Sequence, residues 1–112
     1  MDKREKVFIE KIKEFMEMQD DYLEMMEEAF EFIRYRNITR SSEIERLLDM
    51  VLGMIQTDKT NDLYTRICKY YHAIDRDGAN DYAQFYLEFY DDDSVIRELR
   101  KMEKEIKKYE KI

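Results

Sequence analysis

Residues 8–33, FIEKIKEFMEMQDDYLEMMEEAFEFI, decide the fold of this chain. Apolar residues recur there in alternating steps of four and three, with one polar interruption; the series is Phe8, Ile12, Phe15, Gln19, Tyr22, Met26, Ala29 and Ile33. Steps of this kind place a series along one side of an α-helix. Because no Gly or Pro lies between Asp2 and Arg36, the spacing predicts one long helix, with a break near Gln19 as the alternative.

The positions that flank this series are apolar as well in the second half of the helix; they are Met16, Met18, Leu23, Met25, Phe30 and Phe32. A stripe of that width predicts contact with more than one neighbouring helix. We therefore expect the long helix at the centre of a bundle, with the other helices packed around it.

The rest of the chain has a helix former's composition, with no Pro and only two Gly among 112 residues. Ser42 and Glu45 have the spacing of a capping box and predict the start of a second helix. Thr60 or Asn61 is the expected cap of a third helix, and DRDGAN, residues 75–80, is the expected turn after it.

A short fourth helix is expected near 81–90, and residues 91–94, DDDS, should end it and cap a fifth. The fifth helix has its own seam in steps of four and three, formed by Val95, Leu99, Met102, Ile106 and Tyr109. The sequence thus predicts an all-α fold, a helical bundle of four to five helices around a long N-terminal helix, as a single helical domain over residues 1–112. A homodimer through an exposed seam is a further expectation.

The formal net charge is −7 and the isoelectric point is near 4.8. Such an acidic chain is a poor direct binder of nucleic acid or anionic lipid, because both are bound mainly by clustered Lys and Arg. No uninterrupted apolar run predicts a membrane span or a targeting segment, and the single cysteine, Cys68, has no partner for a disulfide within the chain. We expect a cytoplasmic protein, with Cys68 as a small core residue.

The acids are concentrated in two stretches. Seven acids and no base lie between 17 and 31, all on outward positions of the heptad: Glu17, Asp20, Asp21, Glu24, Glu27, Glu28 and Glu31. The outward positions of the fifth helix are basic instead, and hold Arg97, Arg100, Lys101, Lys104, Lys107, Lys108 and Lys111. The charges predict either a docking face for a basic partner or head-to-tail association of copies; two ordinary solvated faces are the alternative.

The second acidic stretch is 75–93, with seven acids and one base among aromatic residues. Tyrosine suits interfaces, and aromatic faces beside carboxylates suit Arg or Lys of a partner. The candidate partner-binding residues here are Asp77, Asp81, Tyr82, Tyr86, Tyr90, Asp91, Asp92 and Asp93. The alternative is that the rings fill a small core beside a solvated turn.

Arg66 and His72, the only histidine, lie six residues apart in RICKYYH. This spacing resembles the Arg-x(4–6)-His motif of the HEPN superfamily, small all-α proteins that include dimeric metal-independent ribonucleases. The resemblance covers these seven residues, and Ile67 stands where the superfamily usually has a polar residue. It implies a catalytic pair, Arg66 and His72, that meets its copy across a dimer; otherwise His72 is a surface or capping residue near a helix end.

No other motif indicates chemistry. Asp75, Asp77, Gly78 and Asp81 are spaced somewhat like a calcium loop, but aligning Gly78 to the sixth position puts Ala73 at the first ligand and Gln84 at the last. We expect no metal and no cofactor.

The sequence therefore favours a small, acidic, non-enzymatic protein-interaction module that docks on a basic surface of a partner protein. A regulator or inhibitor fits this description, and a phage-type inhibitor of a nucleic-acid-handling defence enzyme is one instance of it. The alternatives are the HEPN-like ribonuclease and a structural oligomerisation subunit.

Overall fold

A computed structural model describes residues 2–110 of the chain. Five α-helices follow one another: α1 (Lys3–Tyr35), α2 (Ser41–Leu52), α3 (Asp58–His72), α4 (Arg76–Tyr90) and α5 (Ser94–Glu110). No strand occurs in this part of the chain, so the predicted all-α fold with a long N-terminal helix is confirmed. α1 is one continuous helix through Gln19, as predicted, and the alternative of a break there is wrong.

α3 is the helix that contacts all of the other four, whereas α1 packs against α2 and α3. The central place that the wide stripe of α1 predicted is therefore taken by α3. The reason lies in the residues of α3 that face inward: Leu63, Tyr64, Ile67, Cys68 and Tyr71 are all buried. Together with the buried Thr60, Thr65 and His72 they cover a little over half of its circumference, so α3 can pack against several neighbours at once.

Contacts along the chain show the helix directions. Glu27 pairs with Arg66 and Phe30 packs against Tyr70, so α1 and α3 run parallel. Lys69 pairs with Glu98, so α5 also runs parallel to α3. As a result the first turns of α1 project beyond one end of the packed helices and the last turns of α5 project beyond the other.

The projection of α1 is large. Residues 3–18 are all exposed, and we call this segment the arm; the packed part, residues 19–103, is the body. The arm accounts for much of the 66 Å length of the molecule, whose other extents are 30 and 20 Å. The first buried side chain of α1 is that of Leu23, followed by Met26, Phe30 and Ile33. The seam predicted for the whole helix is thus buried only in its second half.

The predicted starts of α2, α3 and α4 are wrong. α2 begins at Ser41, and its N-cap Arg40 makes no side-chain capping hydrogen bond, so the predicted Ser42–Glu45 box is not the cap. α3 begins at Asp58 under a reciprocal capping box of Thr57 and Thr60, not under Thr60 or Asn61 as caps. α3 is thus capped by local reciprocal hydrogen bonds three residues earlier than predicted, whereas α2 begins without a side-chain cap.

The segment 75–80 is the first turn of α4, where a free-standing turn was predicted. The carboxylate of Asp75 accepts a hydrogen bond from the backbone N–H of Gly78 and caps the helix there. A Cβ on Gly78 would lie 2.5 Å from the hydroxyl oxygen of Tyr71, closer than side chains approach in proteins. Gly78 therefore serves close helix packing. The predicted end of α4 is confirmed, because Asp91 is its C-cap in the left-handed conformation.

Candidate docking surface

The acidic face of α1 runs from Glu17, at the end of the arm, to Glu31 in the body. Six of its seven carboxylates are exposed and Glu27 is half-buried, as the outward heptad positions predicted. Glu27 bonds the guanidinium of Arg66 at 2.5 Å, and Glu31 bonds that of Arg34 at 3.1 Å. Among residues 2–110 the other five carboxylates of this face form no ion pair; they are Glu17, Asp20, Asp21, Glu24 and Glu28.

A groove between α1 and α3 borders this acidic face. It has a volume of about 390 Å³, and its lining combines four carboxylates with one lysine and one leucine: Asp20, Glu24, Glu27, Asp62, Lys59 and Leu23. At its end, Arg66 donates hydrogen bonds to Glu27 and Asp62, and the bond to Glu27 raises the pKa of the guanidinium further above its ordinary value. The groove can accept a basic side chain near Asp20 and Glu24, which form no ion pair with any residue between 2 and 110.

The acids of the second stretch, residues 75–93, lie in two separate places in the structure. Asp77 and Asp81 lie in the first turns of α4, while residues 91–93 follow its last turn. A 15-residue helix separates its ends by about 20 Å, so these acids lie at opposite ends of the body. They do not form one surface.

Residues 91–93 do lie at the same end of the body as the start of the acidic face. The side chain of Gln19 bonds both the N–H and the C=O of Ile55, at 2.8 and 2.9 Å. The hydroxyl of Tyr90 donates to the carbonyl of Leu52. Both acidic regions therefore adjoin the link between α2 and α3, and the structure brings them to one end of the molecule.

Most candidate aromatic residues of α4 belong to the core. Tyr82 and Tyr86 are buried, and their hydroxyls donate to Asp49 and to Gln56, both at 2.9 Å. Burial raises the pKa of Tyr82, and the carboxylate of Asp49 adds to that effect. Tyr90 is partly exposed, and Phe85 and Phe89, which were not predicted as partner-binding, are exposed. A surface at this end of α4 would therefore use Phe89 and Tyr90, and the rings of Tyr82 and Tyr86 are not accessible to a partner.

Sequence reasoning could have separated these rings by helical position. Tyr82 and Tyr86 are four residues apart and share a side of α4 with Ala79, whose small side chain is typical of a close helix contact. Phe85 and Phe89 share another side, which is the exposed one.

Arg66 and His72 do not share a site. Arg66 faces α1, in the ion pair with Glu27, whereas His72 faces α5 and its Nε2 lies 2.9 Å from Glu103. His72 is buried, so its interpretation as a surface residue is wrong, and its Nδ1 has no hydrogen-bond partner within the described chain. Six residues advance a helix by well over one turn but not by two, which is why the pair points to different neighbours.

The remaining predicted features can be placed. Cys68 is fully buried, as expected, and burial raises the pKa of its thiol. Among residues 2–110 no three His, Cys, Asp or Glu side chains are grouped so as to hold a metal ion. Within the same range, no helix is long and apolar enough to cross a membrane. Of the basic positions of α5, Lys111 lies outside the described residues and the other six are exposed.

The chain matches no protein-family model, no curated protein and no solved structure.

Proposed function

We propose that this protein is a non-enzymatic protein-interaction module whose acidic α1 face docks on a basic surface of a partner protein. The observation that carries the proposal is the set of five exposed carboxylates on that face without an ion pair in residues 2–110. A partner's Lys and Arg side chains would supply the missing counter-charges.

The repulsion between like charges on the acidic face supports a role in binding. Glu17 with Asp21, and Glu24 with Glu28, are like-charge pairs four residues apart, and each such pair costs a helix about 0.2–0.5 kcal/mol. Solubility alone needs only scattered charges of mixed sign. A basic partner removes the repulsion when it binds, so the face favours the bound state over the free one.

The groove between α1 and α3 gives the face a shape as well as a charge. Its acids lie on two helices, so a partner's Arg or Lys that entered it would contact α1 and α3 together. Phe89 and Tyr90 add apolar surface near residues 91–93 at the same end. Regulation or inhibition of a protein with a cationic surface, such as one that handles nucleic acid, is the role that this surface fits.

The test is affinity capture from the native host extract with three forms of the tagged protein. The unmodified chain and a Glu24→Lys/Glu28→Lys variant are compared with Glu105→Lys, an exposed reversal of the same sign on α5. We expect the captured partner to be basic, to be retained by the unmodified chain and by Glu105→Lys, and to be lost both in the double variant and as salt is raised. A partner held equally by all three forms and insensitive to salt would contradict the proposal.

A further inference from the structure

We propose that the arm pairs with the arm of a second copy of this chain, antiparallel, so that Phe8 of each copy enters a groove at the base of the other's arm. This interface requires no other protein; it uses the apolar seam of α1 and adjoins the part of the acidic face between residues 17 and 24.

The apolar surface of the arm has no partner in the described chain. Phe8 is 64% exposed and Phe15 57%, and Ile12 between them is also exposed. Ile9, Met16, Met18 and Tyr22 lie beside these three residues on or next to the same side of α1. At on the order of 100 Å² each, the seven side chains offer roughly 700 Å² per copy, which is near the size of an ordinary stable interface.

A helix of this length also needs support. The arm spans 16 residues beyond the first tertiary contact of α1, and isolated helices of about that length are marginal in water. In addition, Lys3, Arg4 and Lys6 lie in the first turns, where the helix dipole favours acids. Neither the exposed seam nor the basic start stabilises α1 in a single copy.

The charges select a second copy and an antiparallel orientation. Residues 3–13 hold five bases and two acids, whereas residues 17–27 hold five acids and no base. In a parallel pair of α1 helices the bases would face bases and the acids would face acids. In an antiparallel pair each basic start lies beside the acidic segment of the other copy, and such complementarity selects partner and orientation.

The register follows from the seam. When the overlap is centred between Lys13 and Glu14, Ile12 of one copy lies level with Phe15 of the other, and Phe8 lies level with Gln19. At that level the body has a mainly apolar groove of about 270 Å³, lined by Phe15, Met18, Gln19, Tyr22, Gly53 and Met54. Gly53 leaves this groove open because it has no side chain. One aromatic ring fits it, and the two-fold symmetry of the pair fills both grooves.

The interface leaves part of the acidic face free. The helical overlap ends near residue 24 of the partner, so Glu27, Glu28 and Glu31 lie beyond it. Glu17 and Glu24 occupy the heptad position opposite the seam. The dimer would therefore present two acidic faces, one at each end.

Sedimentation equilibrium of the purified protein over a range of concentrations tests the dimer. We expect a reversible dimer that weakens as salt is raised. Phe8→Glu/Phe15→Glu should raise its dissociation constant by on the order of 100-fold or more, while Tyr109→Glu, an equally exposed ring on α5, should not. A monomer at every concentration would overturn the proposal, and so would a dimer lost with Tyr109→Glu and kept with Phe8→Glu/Phe15→Glu.

Gly53→Leu tests the groove from the other side. A Cβ on Gly53 would meet only ordinary contacts, 3.6 and 3.7 Å from the carbonyl oxygens of Asp49 and Met50, and its φ of −79° suits any residue. The variant should fold as the parent does, by circular dichroism, and should dimerise more weakly because the leucine fills the place of the partner's Phe8. Unchanged dimerisation would show that the groove is not used.

Spin labels test the orientation. Val7→Cys and Glu14→Cys place labels on one side of α1, two turns apart, while the native Cys68 is buried. In the antiparallel register the two labels at 7 are offset by about 20 Å along the helix and the labels at 14 by almost nothing. The distance measured by pulsed electron resonance should therefore be clearly longer at 7 than at 14, whereas equal distances would indicate a parallel pair and refute the proposal.

Discussion

The two halves of α1 continue one seam in two different environments. In the second half Met26 and Ile33 of the seam are buried against α2 and α3, together with the flanking Phe30. In the arm Phe8, Ile12 and Phe15 belong to the same seam and are exposed. The comparison shows that heptad spacing reveals an apolar side of a helix, and that it does not reveal whether the chain itself covers that side.

α5 repeats the contrast at the opposite end of the body. Val95 and Leu99 of its seam are buried, Met102 is half-buried, and Ile106 and Tyr109 are exposed. Each helix has a polar contact where it leaves the body. Gln19 bonds Ile55 at the base of the arm, and Glu103 bonds His72 before the last turns of α5. These two contacts mark where the packed part of each helix ends and its exposed part begins.

Amide hydrogen exchange should show the largest difference between the halves of α1. In Phe8→Glu/Phe15→Glu, which should remain monomeric, amides 23–33 should exchange only by global unfolding, which costs about 5–15 kcal/mol in most domains. Amides 7–15 should exchange by local fraying, orders of magnitude faster. In the unmodified chain the arm amides should become protected as the concentration rises, and equal protection of both halves in the monomer would contradict the comparison.

Alanine substitutions in the two halves of α1 should differ in how much they lower the free energy of unfolding. Phe30 is 2% exposed, and Phe30→Ala should lower the free energy of unfolding by about 3–5 kcal/mol through lost burial and a cavity. Phe8→Ala should change it by less than about 0.5 kcal/mol, measured by urea unfolding at concentrations where the protein is monomeric. A comparable loss in both variants would mean that the arm is packed in solution.

Much of the fold could be predicted from the sequence because helix composition and seam spacing are local properties. The five helices, the continuity of α1 without Gly or Pro and the end of α4 near Asp91 all follow from them. The start of α4 could not be predicted in this way, since DRDGAN has the composition of a turn. There the close approach of Tyr71 to Gly78, which is a tertiary contact, favours the helix.

The acidic face could also be predicted, because charge and heptad position are both visible in the sequence. The role of the tyrosines could not, because a phenol ring serves an interface or a core equally well. Tyr64 is fully buried with its hydroxyl 2.6 Å from the carbonyl of Tyr82, and the hydroxyls of Tyr82 and Tyr86 likewise find partners within the body. Only the positions of those acceptors, which lie in other segments of the chain, distinguish the two roles.

Gln19→Ala should test the boundary at the base of the arm. The side chain donates to the carbonyl of Ile55 and accepts from its N–H, so its loss leaves both backbone groups without these bonds. Because the site is exposed and water can replace part of the loss, we expect a decrease of about 1 kcal/mol in the free energy of unfolding. The Ile55 amide should also exchange faster, whereas Met18→Ala, a neighbouring exposed residue, should leave that amide unchanged.

Glu103 should give the smallest effect, which is measured by how stability changes in acid. Its hydrogen bond with His72, and then its contact with Arg76 at 3.4 Å, hold the pKa of this carboxyl below its ordinary value of 4.5. A carboxyl with a lowered pKa in the folded state stabilises the protein fully above 4.5, and the contribution is lost as the pH falls through the folded pKa. Glu103→Gln should therefore reduce the slope of unfolding free energy against pH below 4.5, and Glu105→Gln, an exposed neighbour on α5, should not. The slopes are measured by urea unfolding between pH 3 and 6. Identical slopes in the two variants would show that the charge of Glu103 does not stabilise the contact between α5 and α3.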